Sequence, residues 1–242
     1  MPDRRTHRGP HPEDARLFAP EARPLLRQAT ADLCWLLDRE YPGASSLKLV
    51  GDRYDLRARQ RIAVSRCSCA DVVALRRRSH QAGPEDLRGR PLCLDGYNVL
   101  TTIEAALAGG VILAARDGAY RDMASMHGSY RKVAETVPAL KLLGEVAAAL
   151  GVSQCRWFLD RPVSNSGRLK AIMAEIAAAH GWPWQVELVA DPDSLLAATQ
   201  EIVATADSAI LDRCQAWFNL ARETVSRAIP AANVLVLWDG EG

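Results

Sequence analysis

The chain has 242 residues, a formal net charge of +1 and 48% apolar residues, enough to bury one large core or two smaller ones. No run approaches the roughly 18 consecutive apolar residues of a membrane span, and the opening "MPDRRTHRGPHPEDARLFAP" is charged where a secretory leader is apolar, so a cytoplasmic protein is expected. Six scattered cysteines (34, 67, 69, 93, 155 and 214) argue against a disulfide scaffold and for reduced thiols.

The near-neutral total hides an asymmetry. Residues 1–90 carry 18 Lys and Arg against 12 Asp and Glu, whereas residues 91–242 carry 12 against 17. All but one of the N-terminal basic residues are arginine, which suits bidentate contact with phosphates. The alternative is a solvated helical surface.

In chain order, the proline-rich and charged residues 1–24 predict a loose arm. Apolar spacing in "LLRQATADLCWLLDRE" predicts a helix over 25–40, "YPGASSLKLVGD" reads as turns over 41–52, and "LRARQRIAVSRCSCADVVALRRR" reads as one or two helices. Residues 25–82 thus form an Arg-rich helical domain, and Gly and Pro mark a linker at 83–91.

From residue 92 the pattern changes. Short apolar runs predict strands at 92–95, 111–115, 155–159, 185–189, 201–204 and 233–238, and helical stretches are predicted at 99–108, 134–150, 166–180, 193–199 and 208–228. This alternation predicts a doubly wound α/β domain over 92–242 with a mostly parallel sheet, preceded by a small all-α domain.

In such a sheet ligands bind beyond the carboxyl ends of the strands. Asp95 follows "LCL", with Asn98 three residues on; Asp160 follows "RWFL"; Asp191 and Asp193 follow "VELV"; Asp207 follows "EIVATA". Acids gathered at one sheet edge repel one another unless protons or a divalent cation intervene, and oxygen-only donors suit Mg2+ or Mn2+. Each aspartate also has a plain structural reading: Asp207 as a helix cap, Asp160 and Asp95-Gly96 as turn formers.

"LDGYNVL" and "TADSAI" resemble segments of the NYN branch of the PIN-like ribonuclease superfamily. The resemblance covers about residues 91–238 and implies a small doubly wound fold whose acids bind Mg2+ or Mn2+. It implies that Asp95 and Asn98 are the first-strand acid and its partner, Asp160 the middle-strand acid, and Asp207 with Ser208 the late acidic element. Many such domains cut RNA, so a metal-dependent ribonuclease with Asp95, Asn98, Asp160 and Asp207 in catalysis is the expected function. The 114–132 segment has no counterpart in the resemblance. The whole chain also resembles an uncharacterised prokaryotic family in which a helical domain precedes this one.

Two basic segments add expected RNA contacts. "RPVSNSGRLK" follows a strand and opens a helix, so Ser164, Ser166 and Arg168 are placed to hold a phosphate, or to cap the helix. "RDGAYRDMASMHGSYRK" interleaves Arg121 and Arg131 with Tyr120, His127 and Tyr130, a pattern that suits single-stranded nucleic acid or a plain surface loop. Glu104 is read as an exposed helix position or a further acid facing the metal. Cys67 and Cys69, with Cys34 and His80, have poor spacing for zinc. Two other readings stay open: an RNA-binding module with a degenerate site, and a metal-dependent enzyme acting on a small phosphate compound. The oligomeric state is left open.

Overall fold

The computed structural model describes residues 7–124 and 130–238. Helices α1 (Asp14–Leu17), α2 (Arg23–Leu37), α3 (Gly43–Arg53), α4 (Ala58–Cys67) and α5 (Asp71–Ser79) form the N-terminal region. The α/β region then runs β1 (Pro91–Asp95), α6 (Gly96–Leu107), β2 (Val111–Ala114), β3 (Tyr120–Arg121), α7 (Thr136–Ala149), β4 (Gln154–Asp160), α8 (Ser166–His180) and β5 (Trp184–Val189). It ends with α9 (Pro192–Ala198), β6 (Ile202–Ala204), α10 (Ser208–Leu211), β7 (Ala216–Phe218), α11 (Leu220–Ala228) and β8 (Asn233–Val236).

The main sheet is parallel throughout, in the order β5-β4-β1-β6-β7. Both its faces are covered, as its near-continuous apolar strands require. Leu92, Leu94, Trp157, Leu159, Ile202 and Ala204 pack toward α6, α7, α8 and α11. Cys93, Phe158 and Val203 point the other way, toward Leu196 of α9 and Ile210 and Leu211 of α10. The helices that follow β1 and β6 therefore lie on opposite faces, and the gap between these two strands is the topological switch point.

A second, three-stranded sheet, β3-β2-β8, joins the two halves of the chain. Ile112 of β2 faces the main core. Val111, Leu113, Leu235 and Leu237 pack instead against Leu26, Leu33, Ala63 and Val64 of α2 and α4. The helical region is thus a layer on this sheet and shares its core.

Several expectations are corrected. The arm expected to be loose over 1–24 is packed where it is described: Leu17 and Phe18 are buried, and the Arg8 guanidinium reaches inward to Glu104. Residues 43–53, expected as turns, are helical, with Pro42 at the helix entry, where its fixed φ is tolerated. The single helix expected over 208–228 is α10, β7 and α11. Asn219 caps α11 by accepting from the Arg222 N–H at 3.2 Å. Ala216-Trp217-Phe218 pairs with β6, and its free edge is covered by residues 80–82: Trp217 N–H donates to His80 O, and Ala82 N–H to Trp217 O. A three-residue buried strand leaves no periodicity to separate it from helix. Tyr130, expected on a basic surface loop, is buried; its hydroxyl donates to Glu104 at 2.5 Å.

Candidate metal and phosphate cleft

The "LDGYN" and "TADS" turns meet at the switch point. Asp95 ends β1 and Gly96 opens α6 with no residue between. A Cβ on Gly96 would lie 2.5 Å from Leu159 Cδ2 and 2.8 Å from Phe158 O, so glycine lets the helix start hard against β4. Tyr97 is buried and donates to Ser166 Oγ at 2.7 Å. Asn98 Oδ1 accepts the Ala206 N–H at 2.8 Å, and Thr205 Oγ1 donates to Asp95 Oδ2 at 2.8 Å. Asp207 N–H donates to Thr205 Oγ1, while Asp207 Oδ1 caps α10 by accepting from Ala209 and Ile210. Asn98 is therefore first a clamp between the two turns, and Asp207 is a true helix cap as well as an acid at the strand ends.

Register places the acids on one face. Asp95 pairs with Phe158 across β1 and β4, so Asp160, two residues on, points the same way, toward α9 and α10. Asp193 lies in the first turn of α9 and Asp207 at the start of α10. Burial pushes the Asp95 carboxyl up to about 7, and the charges of Asp193 and Asp207 add to the rise against the lowering hydrogen bond from Thr205. Asp193 is itself raised, by burial and then by Asp207, Asp160 and Asp191. Asp160 is raised by burial and by Asp191. The charges of Asp193 and Asp207 thus act on Asp95, and that of Asp160 acts on Asp193.

Asp95 differs from the other buried acids. Five are buried among the described residues: Asp14, Asp95, Glu104, Asp117 and Asp122. Asp14 faces Arg59, Glu104 faces Arg8, Asp117 lies between Arg77 and Arg121, and Asp122 has Arg66 at 3.5 Å. Asp95 has a threonine hydroxyl and acidic neighbours, and no ion pair among the described residues. A buried carboxylate without a counter-charge is expensive. Here the missing charge is that of a cation or a proton.

The donor set bears on which cation. Among the described residues, no group of three or more His, Cys, Asp and Glu side chains could by itself hold a metal ion. Mg2+ does not require one, because it keeps several waters and is held through one or two carboxylates. Asp95 and Asp207 both line the cleft and fit that requirement; Asp160 and Asp193 are not among its lining residues.

The cleft has a second wall from outside the main sheet. Its lining combines Asp95, Asn98, Thr101, Ala206, Asp207 and Ser208 with Arg66 of α4, Arg121 and Asp122, around a volume of about 340 Å3. Arg121, expected to contact phosphate, is buried; it donates to Asp117 at 2.9 and 2.7 Å and, through Nε, to Ala206 O at 2.8 Å, so it steadies the turn that carries Asp207. Arg77 of α5 completes this network through Asp117 at 2.6 Å and Asp212 at 2.9 Å.

The other expected phosphate contacts fare differently. Ser166 is buried; its one hydroxyl hydrogen is shared between Asp160 O at 2.6 Å and Val163 O at 2.5 Å, so it is not available to a phosphate. Ser164, Arg168, Ser208 and Arg131 are exposed, and Ser208 lines the cleft. His127 lies outside the described residues. Glu104, expected either exposed or facing a metal, is fully buried and held by Arg8, Tyr130 and Thr136. Sequence reasoning missed Arg66 as a cleft residue and Thr205 as the partner of Asp95, and noted Asp193 without selecting it.

No helix among the described residues is long and apolar enough to cross a membrane. Residues 25–80 match a family described as a protein of unknown function (DUF434). An uncharacterised protein of Methanocaldococcus jannaschii is 28% identical over 186 residues, covering 77% of this chain and 88% of that protein. No solved structure matches the chain. Residues 84–223, which contain the interlocked turns and all four aspartates, match the family described as a domain of unknown function (DUF5616), and the chain belongs to that family.

Proposed function

We propose that the chain is a divalent-metal-dependent phosphodiester hydrolase acting on RNA, in the cytoplasm. The observation that supports this best is Asp95: a buried carboxylate at the switch point, pushed to about 7, with acids near it and no ion pair among the described residues. Asp95 and Asp207 would hold Mg2+ or Mn2+, with Asp193 adjacent. The ion, when bound, supplies Lewis-acid charge at the phosphoryl group and at the attacking water. Thr205 fixes Oδ2 of Asp95, and the backbone of Asn98 also hydrogen-bonds the carboxylate, which lines the cleft. Asn98 keeps the two acid-bearing turns at a constant separation through Ala206. Arg121 holds the same turn from behind through Ala206 O. RNA is chosen over DNA on the NYN resemblance of the two turns alone; the arginine-rich N-terminal region suits the phosphates of either.

A second reading is an RNA-binding protein without turnover. The lack, among the described residues, of three convergent ligand side chains favours it. The test is cleavage of end-labelled single-stranded and structured RNA with Mn2+, Mg2+ or EDTA, by wild type and by the Asp95→Asn/Asp207→Asn variant. Asparagine retains the helix cap at 207, so the variant is expected to fold. Metal-dependent cutting lost in the variant supports the hydrolase. A shifted but uncut RNA that survives EDTA supports the binder.

A further inference from the structure

Resting on the reading above, we propose that Arg66 is the substrate-phosphate anchor of the acid cleft, contributed by the N-terminal helical region. Arg66 projects from α4 and lines the same cavity as Asp95 and Asp207. Three arginines surround this end of the cleft, and they are not equivalent. Arg77 and Arg121 are each bonded to carboxylate oxygens at 2.6 to 2.9 Å and are almost wholly buried; their charge is already neutralised by Asp117 and Asp212. Arg66 is held chiefly by backbone carbonyls, those of Asp122 and Ala124. Its nearest carboxylate oxygen, Asp122 Oδ1, stands at 3.5 Å, and the other oxygen of Asp122 accepts from Thr101 and Thr102. The Arg66 side chain remains 31% exposed. Carbonyls orient a guanidinium without cancelling its charge, and five N–H donors outnumber the bonds made here.

The cleft therefore has two unlike walls. The β1–α6 and β6–α10 turns supply carboxylates for a cation, and α4 supplies a positioned, incompletely neutralised guanidinium. A phosphate between them meets positive charge from both sides, the arrangement that stabilises phosphoryl transfer. The volume, about 340 Å3, lies at the small end of ligand sites, which run from about 300 to 1,000 Å3. It suits one nucleotide of a single strand. This also gives the helical layer a part in the chemistry: the region matched over 25–80 and the region matched over 84–223 each supply one wall.

The experiment is fluorescence anisotropy with a labelled 12-nucleotide single-stranded RNA, in Ca2+ to hold the acids charged, across a salt series. Wild type is compared with Arg66→Ala, Arg66→Lys and Arg116→Ala. Arg116 is a control for loss of a partly buried arginine outside the cleft: it also donates to a backbone carbonyl, that of Cys69, and is paired with Asp71 and Asp38. Arg66→Ala is expected to weaken binding about tenfold or more and to lower the slope of log affinity against log salt by about 0.7, one single-strand phosphate contact. Arg66→Lys should recover the slope and part of the affinity, and Arg116→Ala should match wild type. Equal losses in Arg66→Ala and Arg116→Ala, or a loss with unchanged slope, would overturn the assignment in favour of a structural role. Mn2+ titration of the same proteins separates the two levels. If wild type takes up Mn2+ and RNA and Arg66→Ala does so equally well, the assignment of Arg66 fails and the hydrolase reading stands. If wild type takes up neither, both fail.

Discussion

Replacing Asp95 by asparagine should make the protein more stable at alkaline pH, against the usual direction for a buried polar residue. Asparagine keeps an acceptor for the Thr205 hydroxyl and removes the charge. The Asp95 carboxyl is pushed from its ordinary 3.8 up to about 7. The folded state therefore holds a proton that the unfolded chain releases between about pH 4 and 7. Its stabilising contribution is complete below the ordinary value and is lost as pH rises through about 7. At about 1.4 kcal/mol per pH unit, the gap corresponds to roughly 4 kcal/mol lost by pH 8.5. That figure is a ceiling, since water and counter-ions relax around the exposed acids nearby. Urea unfolding at pH 5 and pH 8.5, in EDTA, measures it. Part of that loss is already complete at pH 5, so Asp95→Asn should gain on wild type between the two pH values by up to about 3 kcal/mol, the share that falls between pH 5 and about 7, and saturating Mn2+ at pH 8.5 should restore wild type and leave the variant unchanged. A difference between the two proteins that does not vary with pH would refute the reasoning.

Other consequences follow from the same contacts. Gly96→Ala should destabilise by about 1–3 kcal/mol in chemical denaturation, because its methyl group would meet Leu159 and the Phe158 carbonyl. Arg8→Ala should cost about 3–5 kcal/mol by leaving Glu104 buried and unpaired, and Arg8→Ala/Glu104→Gln should recover most of it; equal costs for the single and double variants would exclude the ion pair as the cause. Arg77→Ala should lower the melting temperature because the buried Asp117 carboxylate keeps only Arg121, with a smaller effect when Asp117→Asn is present.

The α/β class and the positions of Asp95, Asn98 and Asp207 were legible in the sequence, because each sits in a short local pattern: a buried strand delivering an acid into a Gly-containing turn, and an acid placed as a helix cap. Strands β1, β4 and β5 were legible for a similar reason, as apolar runs bounded by turn signals. What the sequence could not show was pairing at a distance. Arg66 is 29 residues before Asp95, and nothing in α4 distinguishes it from Arg59 or Arg61, which bind Asp14 and Asp52 instead. Arg121 sits in a basic and aromatic segment that suggested nucleic acid, yet the fold turns it inward to Asp117. Asp193 was noted only as one of the acids after β5; that its charge acts on Asp95 depends on how α9 packs against β1, which the sequence does not show. The N-terminal arm has the composition of a loose segment, and its Arg8 becomes ordered because the buried Glu104 requires a counter-charge.

The most direct measurement is calorimetric titration with Mn2+ at pH 8 of wild type and of the single variants Asp95→Asn, Asp160→Asn, Asp193→Asn and Asp207→Asn. The geometry predicts one site, abolished in Asp95→Asn and strongly weakened in Asp207→Asn. It predicts an intermediate loss in Asp193→Asn and the smallest in Asp160→Asn, and an affinity that falls as pH drops below about 7, where Asp95 gains its proton. Undiminished Mn2+ binding in Asp95→Asn, or none in wild type, would contradict it.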